Sequence, residues 1–148
     1  MKNPVTEICD LNSELPPDAP DAPQWLVDAL QVPREKGWVT SEGCDVHYFR
    51  WGDPANPPLL LMHGFLAHAR CMAFIAPFLA EQYHVVAYDL SGMGDSGVRS
   101  SYPDAIRAQE VVDVARETGL FDHAMKPIVI AHSYGGHVGL AAMNDFHE

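Results

Sequence analysis

The chain has 148 residues, of which 47% are hydrophobic and 20% charged. That length and balance suit one folded domain with its own core and exclude a disordered protein. The net charge of −11 repels phosphate backbones and anionic lipid, so no nucleic-acid or membrane partner is expected.

Cys9, Cys44 and Cys71 stand far apart and form no C-x-x-C pair. They read as free thiols of a reducing compartment rather than a disulfide frame or metal site. The N-terminal residues lack the apolar core of a signal peptide. The most apolar run, Leu59 to Met62, is far shorter than the roughly 20 residues a bilayer requires. A cytoplasmic location is the expectation.

Residues 1–36 read as a Pro-rich, acidic arm with a short helix. Pro16, Pro17, Pro20 and Pro23 forbid a regular helix, which predicts a mobile arm to about Asp21. Trp25, Leu26, Ala29 and Leu30 then recur at helical spacing until Pro33 stops them, predicting a helix packed on the domain surface.

Residues 37–148 change character. Trp38–Thr40 and Val46–Trp51 are β-rich runs, with a hairpin turn across Ser41–Asp45. After a Pro-rich loop, Leu59–Met62 is a continuous apolar run, the pattern of a strand buried on both sides of a parallel sheet. His63 and Gly64 end it. Met72, Ile75, Phe78 and Leu79 fall on one side of a predicted helix over Cys71–Ala80, interrupted by Pro77. Val85–Tyr88 is the next strand, followed by a Gly/Ser loop from Asp89 to Ser101. Pro103 sits at a helix start, Ile106, Val111, Val114 and Ala115 line its apolar face, and Gly119 closes it. Ile128–Ala131 reads as another buried strand. A sharp turn over His132–Gly136 leads to an apolar helix over Val138–Phe146. There is no internal repeat. An antiparallel hairpin followed by strand–helix units predicts an α/β fold with a largely parallel sheet.

Ala131-His132-Ser133-Tyr134-Gly135 fits a small-x-Ser-x-Gly turn between a strand and a helix. Such a turn needs small residues two before and two after the serine, because strand and helix pass close together there. Ala131 and Gly135 meet that need. The strained turn lifts the Ser133 hydroxyl from the sheet edge, and the next helix aims its free N–H groups at the same point. His63-Gly64-Phe65 ends one strand, and Asp89-Leu90-Ser91-Gly92-Met93-Gly94-Asp95-Ser96 follows another.

These three motifs, in this order from Gly37 onward, resemble the α/β-hydrolase family, in its serine-nucleophile branch. The resemblance implies the N-terminal portion of such a sheet, incomplete at the C-terminus. It implies Ser133 as nucleophile, with the backbone N–H groups of Phe65 and Tyr134 as the oxyanion hole. His63, Gly64, Ala131 and Gly135 would support that site, Gly64 by adopting unusual backbone angles. Family members with an Asp at the elbow open epoxides or remove halogens, so Ser133 points to esters, thioesters, amides, lactones or carbon–carbon cleavage. Carboxylic esters with an apolar acyl group are the expected substrates. No metal and no organic cofactor is required. The order in this family is nucleophile, acid, then His. The sequence ends soon after Ser133, so the triad acid and His are expected to be absent from it and its own activity is doubtful. The strand Ile128–Ala131 would then leave a bare apolar edge open to association. The alternatives are a non-catalytic truncated homologue that binds a partner along that edge, or a perhydrolase, acyltransferase or lyase of the same fold.

Gly92, Gly94 and Gly97 also spell G-x-G-x-x-G. A dinucleotide site is disfavoured because the match lies on the second parallel strand–helix unit and no strand-ending acid follows at the required distance. Asp89 is expected to accept loop amides rather than act as a triad acid. His132 should point away from the Ser133 hydroxyl by strand alternation. His47, His68, His84, His123 and His147 read as surface or locally satisfied imidazoles.

Overall fold

The computed structural model describes residues 21–143, together with the backbone of the strand Val5–Glu7. Six strands form one mixed sheet: β1 (Val5–Glu7), β2 (Arg34–Ser41), β3 (Cys44–Trp51), β4 (Pro58–Met62), β5 (His84–Tyr88) and β6 (Ile128–Ala131). Their spatial order is β1-β2-β3-β5-β4-β6. The first three strands pair antiparallel and β3 meets β5 antiparallel, while β4 runs parallel to both β5 and β6. Helices α1 (Gln24–Leu30), α2 (Ala76–Ala80), α3 (Asp104–Glu117) and α4 (Tyr134–Ala142) flank it, with a 3-10 turn at Ala69–Met72. The expected α/β architecture is therefore present.

The period-two alternation of the strands sorts their side chains into two cores. Leu60, Met62, Val86 and Tyr88 pack with Val111, Val114 and Ala115 of α3 and with Val138 and Ala142 of α4. Leu59, Leu61, Val85 and Ala87 pack on the opposite side with Leu30 of α1, Ala76 of α2, and Ala69 and Ala73. Each fully buried Leu or Val contributes about 1.5–3 kcal/mol of hydrophobic stabilisation, so the central strands β4 and β5 dominate the core.

Several elements differ from expectation. β2 begins at Arg34, three positions before the change of pattern at Gly37. Within the expected arm, Val5–Glu7 pairs with β2; residues 1–4 and 8–20 of that arm lie outside the described residues, as does the predicted helix beyond Met143. The β2–β3 turn is tighter than Ser41–Asp45. Ser41 pairs with Cys44, leaving Glu42 and Gly43, both at positive φ, the primed turn that matches strand twist. Pro77 does not interrupt a helix but sits in the first turn of α2, where its missing N–H costs nothing. Ile75 and Phe78 are consequently exposed. β6 is not buried: Ile128, Val129 and Ile130 are exposed, because β6 is the outer strand of the sheet and pairs only with β4 among the described residues.

The pairing registers align the carboxyl ends of the parallel strands. Met62 lies opposite both Tyr88 and Ala131. The segments beginning at His63, Asp89 and His132 thus emerge together at one edge, where open α/β sheets hold their sites.

Candidate active site

β6 runs straight into a reversal at Ser133, whose φ is 52° and ψ −116°. That conformation costs a non-glycine residue about 1–3 kcal/mol. It persists because α4 starts at the next residue: Gly135 N–H donates to the His132 carbonyl at 3.0 Å and Gly136 N–H to the Ser133 carbonyl at 2.9 Å. His132 N–H donates to the Met62 carbonyl at 3.0 Å, tying the turn to β4. Ser133 is exposed. No described side chain hydrogen-bonds its hydroxyl.

Two glycines let β4 and the turn touch. A Cβ on Gly135 would lie 2.5 Å from the His63 carbonyl oxygen, and one on Gly64 would lie 2.8 Å from His132 Nδ1 and 3.4 Å from Ser133 Cβ. Gly64 is therefore required for close approach and not for unusual angles. The positive φ in this loop belongs to Leu66, at 56°. Phe65 is carried to the turn, and its ring meets that of Tyr134 edge-on at 5.8 Å. Ala131, partly buried, packs against the α3–α4 core.

His63 is buried and fully occupied. Its Nδ1–H donates to the Gly64 carbonyl at 2.7 Å, and Nε2 accepts the Leu90 N–H at 3.1 Å. Burial lowers its pKa, opposed by the Gly64 carbonyl. A neutral ring with both nitrogens engaged braces the loop and leaves no lone pair for Ser133.

Asp89 behaves as expected of a loop anchor. It accepts the N–H groups of Ala69 and Asp95 and the Nδ1–H of His47 at 2.8 Å. Burial pushes its carboxyl up, but these hydrogen bonds outweigh burial and hold it below its ordinary value. Gly94, at φ 53°, passes so close that a Cβ would overlap the Asp89 carboxylate. Gly97 N–H donates to the Asp45 carbonyl at 2.8 Å and Gly92 N–H to Gly97 at 2.7 Å. The three glycines thus fold their loop onto Asp89 and the hairpin. His47, Asp89 and Asp95 are the one group among the described residues that could offer metal-ligand atoms. Those atoms already pair with one another, with loop amides and with Arg70.

Other histidines divide. His132 and His68 are exposed, and His137 pairs with Asp104 at 3.1 Å on the surface. His123 accepts the Met125 N–H at 2.9 Å. His84 departs from expectation: it is buried in β5 and its Nε2 has no partner. Burial lowers its pKa, helped by Arg50. His147 lies outside the described residues.

One cluster gave no signal in the sequence. Glu110 of α3 is fully buried, accepts Ser91 Oγ–H and Arg99 Nε–H, and pairs with Arg107 at 3.2 Å. Arg99 also donates to the Ser41 and Glu42 carbonyls, clasping the hairpin. Arg107 donates to the Ser91 carbonyl at 2.9 Å, and its guanidinium faces the rings of Tyr102 and Tyr134.

A profile described as the alpha/beta hydrolase family matches residues 59–147, the span that holds β4, the loops and the Ser133 turn. The chain belongs to the alpha/beta hydrolase family. It is 27% identical over 105 residues to an uncharacterized hydrolase, YugF, of Bacillus subtilis, covering 70% of this chain and 37% of that protein. It is 31% identical over 101 residues to epoxide hydrolase 3 of Xenopus tropicalis, covering 66% of this chain and 26% of that one. Among solved structures it resembles a bacterial membrane phospholipase A, with a TM-score of 0.66 and 32% identity over 74% of this chain and 34% of that chain. The chain therefore spans about a third of the length of these relatives. No helix among its described residues is long and apolar enough to cross a membrane.

Proposed function

We propose that this family member is a serine hydrolase of carboxylic esters, with Ser133 as nucleophile and the N–H groups of Phe65 and Tyr134 as oxyanion donors. The observation that carries the reading is the Ser133 backbone, at φ 52° and ψ −116° directly before α4. Strain of that kind persists at a functional turn. Ser133 Oγ attacks the ester carbonyl, and the developing oxyanion is met by two amides and the N-terminus of α4. The alcohol leaves, and water then releases the acyl group from Ser133. A base must take the hydroxyl proton. None of the described imidazoles or carboxylates contacts that hydroxyl. The exposed Phe65 and Leu66 beside the turn favour an apolar acyl group. A Ser rather than an Asp at the elbow favours acyl chemistry over the epoxide opening of the Xenopus relative. The free thiols Cys44 and Cys71 fit a reducing, cytoplasmic setting.

The test is turnover of p-nitrophenyl esters by the full-length gene product. Ser133→Ala should lower kcat by about a thousandfold or more. Unchanged turnover in Ser133→Ala contradicts the reading.

The exposed outer strand favours a second reading, in which the chain binds a partner strand along β6 and is not catalytic. Ile128, Val129 and Ile130 supply its apolar surface. Turnover that survives in no preparation, with association lost in Ile130→Lys, would favour it.

A further inference from the structure

We propose that Arg107 is a positioning residue for the oxyanion hole, acting through the ring of Tyr134. The proposal rests on Ser133 being the nucleophile, and it adds a residue from a different element. Tyr134 lies immediately after Ser133, so the orientation of its side chain and that of its N–H are set by the same backbone turn. Its half-buried ring is held from three directions. Phe65, whose own N–H is the other donor, meets it edge-on at 5.8 Å. His137, on the next turn of α4, stacks on it at 5.9 Å and 19°. The Arg107 guanidinium faces it at 6.0 Å from α3.

Arg107 is built to be rigid. It is 3% exposed, and NH1 donates to the Ser91 carbonyl, to Ser91 Oγ and to Glu110. The Tyr102 ring lies 4.5 Å from its guanidinium carbon. Its Nε has no hydrogen-bond partner, and the guanidinium lies toward the rings of Tyr102 and Tyr134. The Glu110–Ser91–Arg107 cluster therefore links α3 and the loop after β5 to the residue whose amide meets the oxyanion. Fixing that amide before reaction is what makes an oxyanion donor effective.

The experiment uses the full-length gene product with Tyr134→Leu and Arg107→Lys. Tyr134→Leu leaves the Glu110 cluster untouched and keeps the proposal testable if Arg107→Lys fails to fold. Tyr134→Leu and folded Arg107→Lys should each lose about tenfold in kcat with little change in KM. A second readout is independent of turnover: the 15N order parameter of the Tyr134 amide should fall from about 0.85 toward 0.6 in Tyr134→Leu and Arg107→Lys. Wild-type kcat with an unchanged order parameter in either folded variant overturns the role of Arg107. If Ser133→Ala keeps full turnover, the nucleophile reading fails instead, whatever the order parameters show.

Discussion

The Cα of Gly135 lies against the carbonyl of His63, so closely that a Cβ would stand 2.5 Å from its oxygen. Through this contact the end of β4 and the start of α4 fix each other. Both candidate oxyanion donors follow from it, because Phe65 is two residues beyond His63 and Tyr134 directly precedes Gly135.

Gly135→Ala should therefore destabilise the protein by about 2–3 kcal/mol, since the clash is with backbone that cannot swing away. Gly136, one residue on, has nothing within 4 Å of a Cβ. Gly136→Ala should stabilise by about 0.5–1 kcal/mol through helix propensity alone. Urea unfolding of the two variants checks the contrast; equal effects would mean the turn is looser than described.

Ser133 holds a conformation that glycine adopts more readily. Ser133→Gly should raise stability by about 1 kcal/mol while removing the proposed nucleophile. A gain in the thermal midpoint with loss of turnover is the expected pair of results. A loss in both would show that the serine side chain, and not backbone strain, governs the turn.

Stability should fall in mild acid. His63 and His84 are held below their ordinary pKa of 6.5 by burial. Their unfolded forms take up protons first as the pH drops, so stability is lost from about 6.5 downward until the folded values are reached. Asp89, held low by its hydrogen bonds, adds a further loss in stronger acid as the pH falls below the unfolded carboxylate value. Urea midpoints measured from pH 7.5 to 5.5 should decline, and His84→Leu should flatten that slope. A slope unchanged by His84→Leu would remove His84 from the explanation.

The motifs were legible because backbone needs select residue types. A small residue on each side of Ser133, an apolar run before it and the His63–Gly64 pair all answer to steric constraints visible one position at a time. Burial was harder to read. Leu60 and Ile130 look alike in sequence, yet Leu60 is fully buried between β5 and β6 while Ile130 is exposed on the outer strand. Pro77 reads equally well as a helix breaker or a helix start. Arg107 and Glu110 resemble the solvent face of α3. They are buried only because the Ser91 loop and Arg99, distant in sequence, fold over them. Nor could spacing reveal that His47 would meet Asp89 across 42 positions.

That buried cluster should be expensive to break. Glu110→Gln leaves Arg99 and Arg107 without their carboxylate and should cost about 3 kcal/mol. Arg99→Met, which removes the clasp on the Ser41 and Glu42 carbonyls, should cost less because Arg107 remains. Chemical denaturation orders the two; the reverse order would show that Arg107 does not stabilise Glu110.

The most direct measurement is labelling of the full-length gene product with a fluorophosphonate, followed by mass spectrometry of its peptides. The phosphonyl adduct should lie on the peptide containing Ser133 and vanish in Ser133→Ala. An adduct on another residue, or undiminished labelling of Ser133→Ala, would contradict the assignment of Ser133 as the nucleophile.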